Sequence, residues 1–136
     1  MSNGEVEVSQ QEALADTSIF IGLENGRFDA DKIPPQSVVS VVTIAELRLG
    51  VLSAQTLDVR AKRLATLRLA ESLDPLPIDE TVADAWATLV ARLREAGKKA
   101  FRNDSWIAAT AIAGRLPLAT QDSDYDEMPG LRVIKI

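Results

Sequence analysis

The chain has 136 residues, with 15 Lys and Arg against 20 Asp and Glu, a net charge of −5, and no histidine or cysteine. That length fits one domain, able to bury roughly 68% of its unfolded surface. The missing residue types exclude a histidine base, a cysteine nucleophile, a Ser-His-Asp triad, a disulfide and a zinc site built from Cys and His, and the acidic balance argues against a generic nucleic-acid binder.

Residues 1–12 are polar and acidic, without the basic and apolar regions of a signal peptide. They are expected to form a flexible tail ahead of a domain spanning 13–136. No apolar run approaches the roughly 20 residues needed to cross a bilayer. The lack of cysteine is compatible with a reducing compartment, and a cytoplasmic protein is expected.

Ala13-Leu-Ala15 reads as a short strand ending at Asp16, and a helix from Ser18 through Leu23 follows, stopped by Asn25-Gly26. The β-branched run Val38-Val-Ser-Val-Val42 reads as a buried strand. Thr43-Ile-Ala-Glu46 then opens a helix to about Gly50, and a longer helix runs from about Leu57 to Ser72. Leu76-Pro-Ile78 is a short strand candidate that Pro77 confines to a sheet edge. Asp79 is placed to cap a helix from Glu80 to Ala96, with Gly97 as its stop. Asn103-Asp104 opens a nearly all-apolar helix that ends at Gly114. Leu118-Ala-Thr120 forms a strand leading to Asp122, and Leu131–Ile134 the last strand. Such alternation implies an α/β fold, a three-layer α/β/α arrangement with a mostly parallel sheet of about five strands.

Four carboxylates, Asp16, Glu46, Asp104 and Asp122, stand where apolar runs give way to helices or turns. In open α/β sheets such positions lie at the carboxyl edge, where sites form. Each also has a plain structural reading. Asp16, Thr17 and Ser18 are all helix-capping types; Thr43–Glu46 matches a capping box; Asp104, or Asn103 before it, can cap its helix; Asp122-Ser-Asp124-Tyr-Asp126 can be a turn. Together, two carboxylates 4 Å apart repel by about 4 kcal/mol at an effective dielectric of 20, and a hard divalent cation such as Mg²⁺ or Mn²⁺ removes that penalty. Arg92, Arg94, Lys98, Lys99 and Arg102 precede Asp104 and either line a phosphate-holding rim or form a solvated helix face.

Asp16-Thr-Ser-Ile-Phe-Ile21, Ser40-Val-Val-Thr-Ile-Ala-Glu46-Leu-Arg-Leu-Gly50, Arg102-Asn-Asp104-Ser-Trp-Ile-Ala-Ala109 and Leu118-Ala-Thr-Gln-Asp122-Ser-Asp-Tyr125 occur in the order and spacing of the PIN-domain ribonucleases. The chain resembles, in particular, the VapC-type toxins of bacterial toxin–antitoxin pairs, over residues 13 to 136. The resemblance implies a PIN-like fold and metal ligands at Asp16, Glu46, Asp104 and Asp122, with Asp124 as a fifth or supporting carboxylate. Ser18 and Thr120 match positions that line the site. Asn103, next to Asp104, is expected to support it, and from the basic rim Arg102, Lys98 and Lys99 are expected to meet substrate phosphates. The resemblance further implies hydrolysis of structured RNA such as tRNA or rRNA, dependent on Mg²⁺ or Mn²⁺. The partners implied are a VapB-like antitoxin that covers the site, a second copy in a homodimer, and operator DNA engaged only through the antitoxin.

Two other classes fit the topology less well. A receiver-type phosphoacceptor domain wants an acidic pair after its first strand, and here a single Asp16 stands there. A haloacid-type phosphatase wants a second Asp two residues on, where this chain has Ser18. A non-catalytic binding module, with its acids as helix caps, is the remaining alternative.

Overall fold

The computed structural model describes residues 12–136. The expected polar tail therefore lies outside the described residues, except Glu12, which opens the first strand. Four short strands, β1 (Glu12–Ala15), β2 (Gln36–Val38), β3 (Leu118–Thr120) and β4 (Val133–Lys135), form one sheet in the order β2-β1-β3-β4. All three pairings are parallel. Five helices connect them: α1 (Thr17–Glu24), α2 (Val41–Leu52), α3 (Leu57–Glu71), α4 (Glu80–Glu95) and α5 (Arg102–Ala113).

Side-chain alternation along the two central strands divides the core. In register, Leu14 faces Leu118 and Ala15 faces Ala119. Ala13, Ala15 and Ala119 pack with Ile19, Phe20, Leu47, Leu67 and Ala70 from α1, α2 and α3. Leu14 and Leu118 pack on the other face with Leu89, Leu93, Ile107, Ala108 and Ala111 from α4 and α5. The small alanines let α1 lie close to the sheet, while the leucines fill the space under α4 and α5, giving three layers as expected.

The expected strand over Val38–Val42 divides differently. Extended pairing stops at Val38, and Val41 and Val42 are helical. Ser40 takes the N-cap position, its hydroxyl accepting from Val42 N at 3.0 Å. A cap of this kind outweighs the weak strand preference of two valines. The fifth strand is reduced to a single parallel bridge between Ser40 and Leu76. Leu76 exchanges two backbone bonds there, Leu76 N to Val39 O at 2.8 Å and Val41 N to Leu76 O at 3.1 Å. Pro75 and Pro77 flank it and have no N–H with which to extend the ladder.

Other boundaries follow their local chemistry. Asp79 caps α4, accepting from Val82 N at 3.0 Å. Gly26 and Gly97 both adopt φ of +69° just past helix ends, the left-handed geometry that favours glycine there. The last strand lies two residues later than expected at its start, after the turn at Gly130 (φ +82°). Among the described residues, no helix is long and apolar enough to cross a membrane.

Candidate metal centre at the carboxyl edge of the sheet

Asp16 follows β1 and Asp122 follows β3, so the two adjacent central strands deliver both carboxylates to the same edge of the sheet. Asp104 arrives from the first turn of α5, and Glu46 from the second turn of α2. Carboxylate oxygens of Asp104, Asp122 and Asp124 all come within 4.8 Å of one another. Asp16 adjoins this group closely enough to feel the charges of Asp122 and Asp104, and Asp104 feels Glu46. Asp124, expected at the margin, thus belongs to the tightest trio, whereas Glu46 stands to one side.

The capping roles open to these acids from sequence are mostly unused. Asp16 occupies the N-cap position of α1 but makes no side-chain cap bond. Its Oδ1 accepts instead from the Ser18 hydroxyl at 2.6 Å. Helix α5 starts at Arg102 with Phe101 as an N-cap lacking any side-chain bond, so neither Asn103 nor Asp104 caps it. The capping box expected from Thr43 and Glu46 is absent, because Ser40 has taken the cap and shifted Glu46 a turn deeper. Only Asp122 keeps a local role, accepting from Asp124 N at 2.9 Å in the 3-10 turn Ser123–Tyr125.

Hydroxyl groups hold the acids in place. Ser18 Oγ donates to Asp16, accepts from Gln121 N at 2.9 Å and lies 3.2 Å from the Thr120 hydroxyl. Thr120 Oγ1 in turn accepts from Asp122 N at 2.9 Å. Around Glu46, Thr17 Oγ1 donates to Oε1 at 2.5 Å and Asn103 Nδ2 donates to Oε2 at 3.2 Å. Since Thr17 gives its one proton to Glu46, the Thr43 hydroxyl 3.0 Å away is the donor to Thr17. The sequence marks Thr17 as part of a site only through the run of three polar residues after the first strand, and it carries no such signal for Thr43.

Burial and mutual repulsion raise the affinity of this edge for protons. Asp16 is 3% exposed, and its pKa is raised to about 6, first by burial and then by Asp122 and Asp104, with the Ser18 and Thr120 hydroxyls pulling it back down. Asp104 is also raised by burial and by Asp122, Asp124 and Glu46, against the opposing bond from Tyr125. The donor set is all oxygen and strongly anionic, bringing the partly buried Asp104 and Asp122 and the exposed Asp124 together beside the buried Asp16. That chemistry fits a hard divalent cation with oxygen ligands.

Two hollows flank the acids. One, of about 460 Å³, is lined by Thr17, Ile21, Glu46, Leu49, Arg63 and Asn103, with Arg63 Nη1 donating to Gly50 O at 2.7 Å. The other, of about 280 Å³, is lined by Lys98, Lys99, Phe101 and Asp124 among others. Lys98 pairs with Glu127 at 3.3 Å, and Lys99 lies over the half-exposed Phe101 ring at 5.2 Å. Arg102 is exposed at the start of α5.

The PIN domain model matches residues 13–131 of the chain. Ribonuclease VapC4 of Mycobacterium tuberculosis is 54% identical over 125 residues, covering 91% of this chain and 96% of the relative. Ribonuclease VapC5 of the same organism is 46% identical over 124 residues, covering 90% and 92%. Among solved structures, VapBC-5 from M. tuberculosis, a member of the VapBC family of toxin–antitoxin systems, superposes with a TM-score of 0.81 at 41% identity, covering 92% of this chain and 98% of the other. The chain belongs to the PIN domain family, in its VapC branch.

Proposed function

We propose that the protein is a metal-dependent endoribonuclease toxin that hydrolyses RNA phosphodiesters. The observation that carries the reading is the convergence of Asp104, Asp122 and Asp124 within 4.8 Å, beside the buried Asp16, in a chain with no histidine. Kinship with proteins named as ribonucleases supports it.

In this reading Asp16, Glu46, Asp104 and Asp122, with Asp124, hold Mg²⁺ or Mn²⁺. The bound cation supplies an acidified water at neutral pH and offsets charge on the scissile phosphate. Ser18 and Thr120 keep Asp16 ionised against its burial, as cation binding requires. Thr17 and Asn103 fix both oxygens of Glu46, so that the carboxylate does not swing. Lys98, Lys99 and Arg102 meet backbone phosphates of the RNA beside Asp124, and structured tRNA or rRNA is the proposed substrate. With no histidine to activate a 2′-hydroxyl, water is the attacking group, leaving 5′-phosphate and 3′-hydroxyl ends.

A VapB-like antitoxin is the proposed inhibitor. The larger hollow, apolar at Ile21 and Leu49 and reaching Glu46, gives its inhibitory segment a route to the acids. With a net charge of −5, the toxin itself is ill suited to operator DNA, which the antitoxin would contact on behalf of a toxin homodimer in the cytoplasm. The test is to incubate the antitoxin-free protein with total cellular RNA, with and without Mg²⁺ or Mn²⁺. Discrete cuts that require the cation and disappear when antitoxin is restored support the proposal. A folded protein that cuts no RNA with either cation contradicts it.

A further inference from the structure

Tyr125 is the one tyrosine of the chain and is wholly buried, at 0% exposure. Its ring sits in the core cluster that includes Leu14, Ile107 and Leu118. A buried hydroxyl needs a partner, and this one donates to Asp104 Oδ1 at 3.2 Å. Tyr125 closes the short turn Ser123–Tyr125, which carries Asp124 and is capped by Asp122. The bond therefore links the two separate segments that contribute the trio of carboxylates. Asp16 is held by Ser18, Glu46 by Thr17 and Asn103, and Asp122 by the amide of Asp124. The phenol plays that part for Asp104, engaging Oδ1 and leaving Oδ2 for another partner.

We propose that Tyr125 is a positioning residue of the cation site, whose hydroxyl sets the Asp104 carboxylate against Asp122 and Asp124 and locks helix α5 to the turn after β3. This rests on the reading that these carboxylates hold a divalent cation. Supporting hydrogen bonds to metal-ligating carboxylates typically change metal affinity by about 10–100-fold. A hydrophobic ring alone would fill the same core volume, so the hydroxyl is the part that concerns the site.

The test compares the wild type with Tyr125→Phe, which keeps the ring. Calorimetric titration with Mn²⁺ should give a dissociation constant about tenfold higher in the variant. The Mn²⁺ concentration for half-maximal RNA cleavage should rise in parallel, with the rate at saturating Mn²⁺ within a few-fold of wild type. An unchanged dissociation constant overturns the proposal, however much the cation-free melting temperature falls, because a purely structural tyrosine would lower only the latter. A wild type that binds no Mn²⁺ overturns the underlying reading and the proposal with it. A second measurement needs no variant to fold. Tyrosine labelled with ¹³C at the ζ-carbon gives one resonance, which should shift when Mg²⁺ saturates the wild type. A resonance indifferent to saturating Mg²⁺ contradicts the coupling.

Discussion

The Ser18 hydroxyl donates to Asp16 Oδ1 at 2.6 Å while accepting from the backbone N–H of Gln121 at 2.9 Å. One side chain thus ties the carboxylate after β1 to the loop after β3, and it favours the charged form of an acid that burial drives towards protonation. Ser18→Ala should raise the Asp16 pKa further and move the acidic limb of the activity–pH profile upward. It should also cost about 1 kcal/mol of stability for the lost bonds. An unmoved acidic limb in initial-rate measurements from pH 5 to 8 would sink this role.

Asp16 also makes the cation-free protein sensitive to pH. Its folded pKa of about 6 lies above the ordinary 3.8, so between these values the folded state holds a proton that the unfolded chain has released. The contribution of this group to stability therefore falls as pH rises through that window, by about 2–3 kcal/mol in all. Asp16→Asn should remove this dependence and melt higher than wild type at pH 7 without metal. Melting curves at pH 4.5 and 7 in chelator check it; a variant less stable than wild type at pH 7 would contradict it.

A divalent cation competes with that proton. Mg²⁺ or Mn²⁺ at 100 times its dissociation constant stabilises the folded state by about 2.7 kcal/mol. The melting temperature should rise by several degrees at pH 7.5, fall back with chelator, and rise much less below pH 6. Absence of any shift at millimolar cation would count against convergence of the carboxylates on one ion.

Thr17 supports Glu46 through the shortest hydrogen bond at the site, 2.5 Å. Thr17→Val keeps the side-chain shape and removes the donor. Loss of one such support should lower cleavage about tenfold while the protein remains folded. Full activity of Thr17→Val, with unchanged cation dependence, would show that Glu46 needs no fixing.

Much of the scaffold was legible because local chemistry and tertiary structure agree. Leu118–Thr120 and Ala13–Ala15 lie in strands, Asp79 caps α4, and Gly26 and Gly97 sit past helix ends. The misread places are those where two local signals compete. Val41 and Val42 suit a strand, yet the Ser40 cap recruits them into α2, which in turn undoes the capping box at Glu46. Pro77 signalled an edge, but it took the second proline, Pro75, to confine the pairing to Leu76. The acids could be found from sequence because Asp16 and Asp122 follow short apolar strands, while Glu46 and Asp104 stand near the starts of apolar helices. Their partners could not: Thr17 reaches Glu46 across 29 residues and Tyr125 reaches Asp104 across 21, distances that only the packed helices close.

The chemistry of the new RNA ends tests metal-dependent hydrolysis at this site most directly. Total RNA is treated with wild type and with Asp104→Asn in Mg²⁺ or Mn²⁺, and the new termini are sequenced and their phosphorylation determined. Discrete cuts bearing 5′-phosphate and 3′-hydroxyl ends are expected, with a folded Asp104→Asn variant reduced on the order of a hundredfold. Ends carrying 2′,3′-cyclic phosphate, or an Asp104→Asn variant that cuts at the wild-type rate, would contradict metal-dependent hydrolysis at this site.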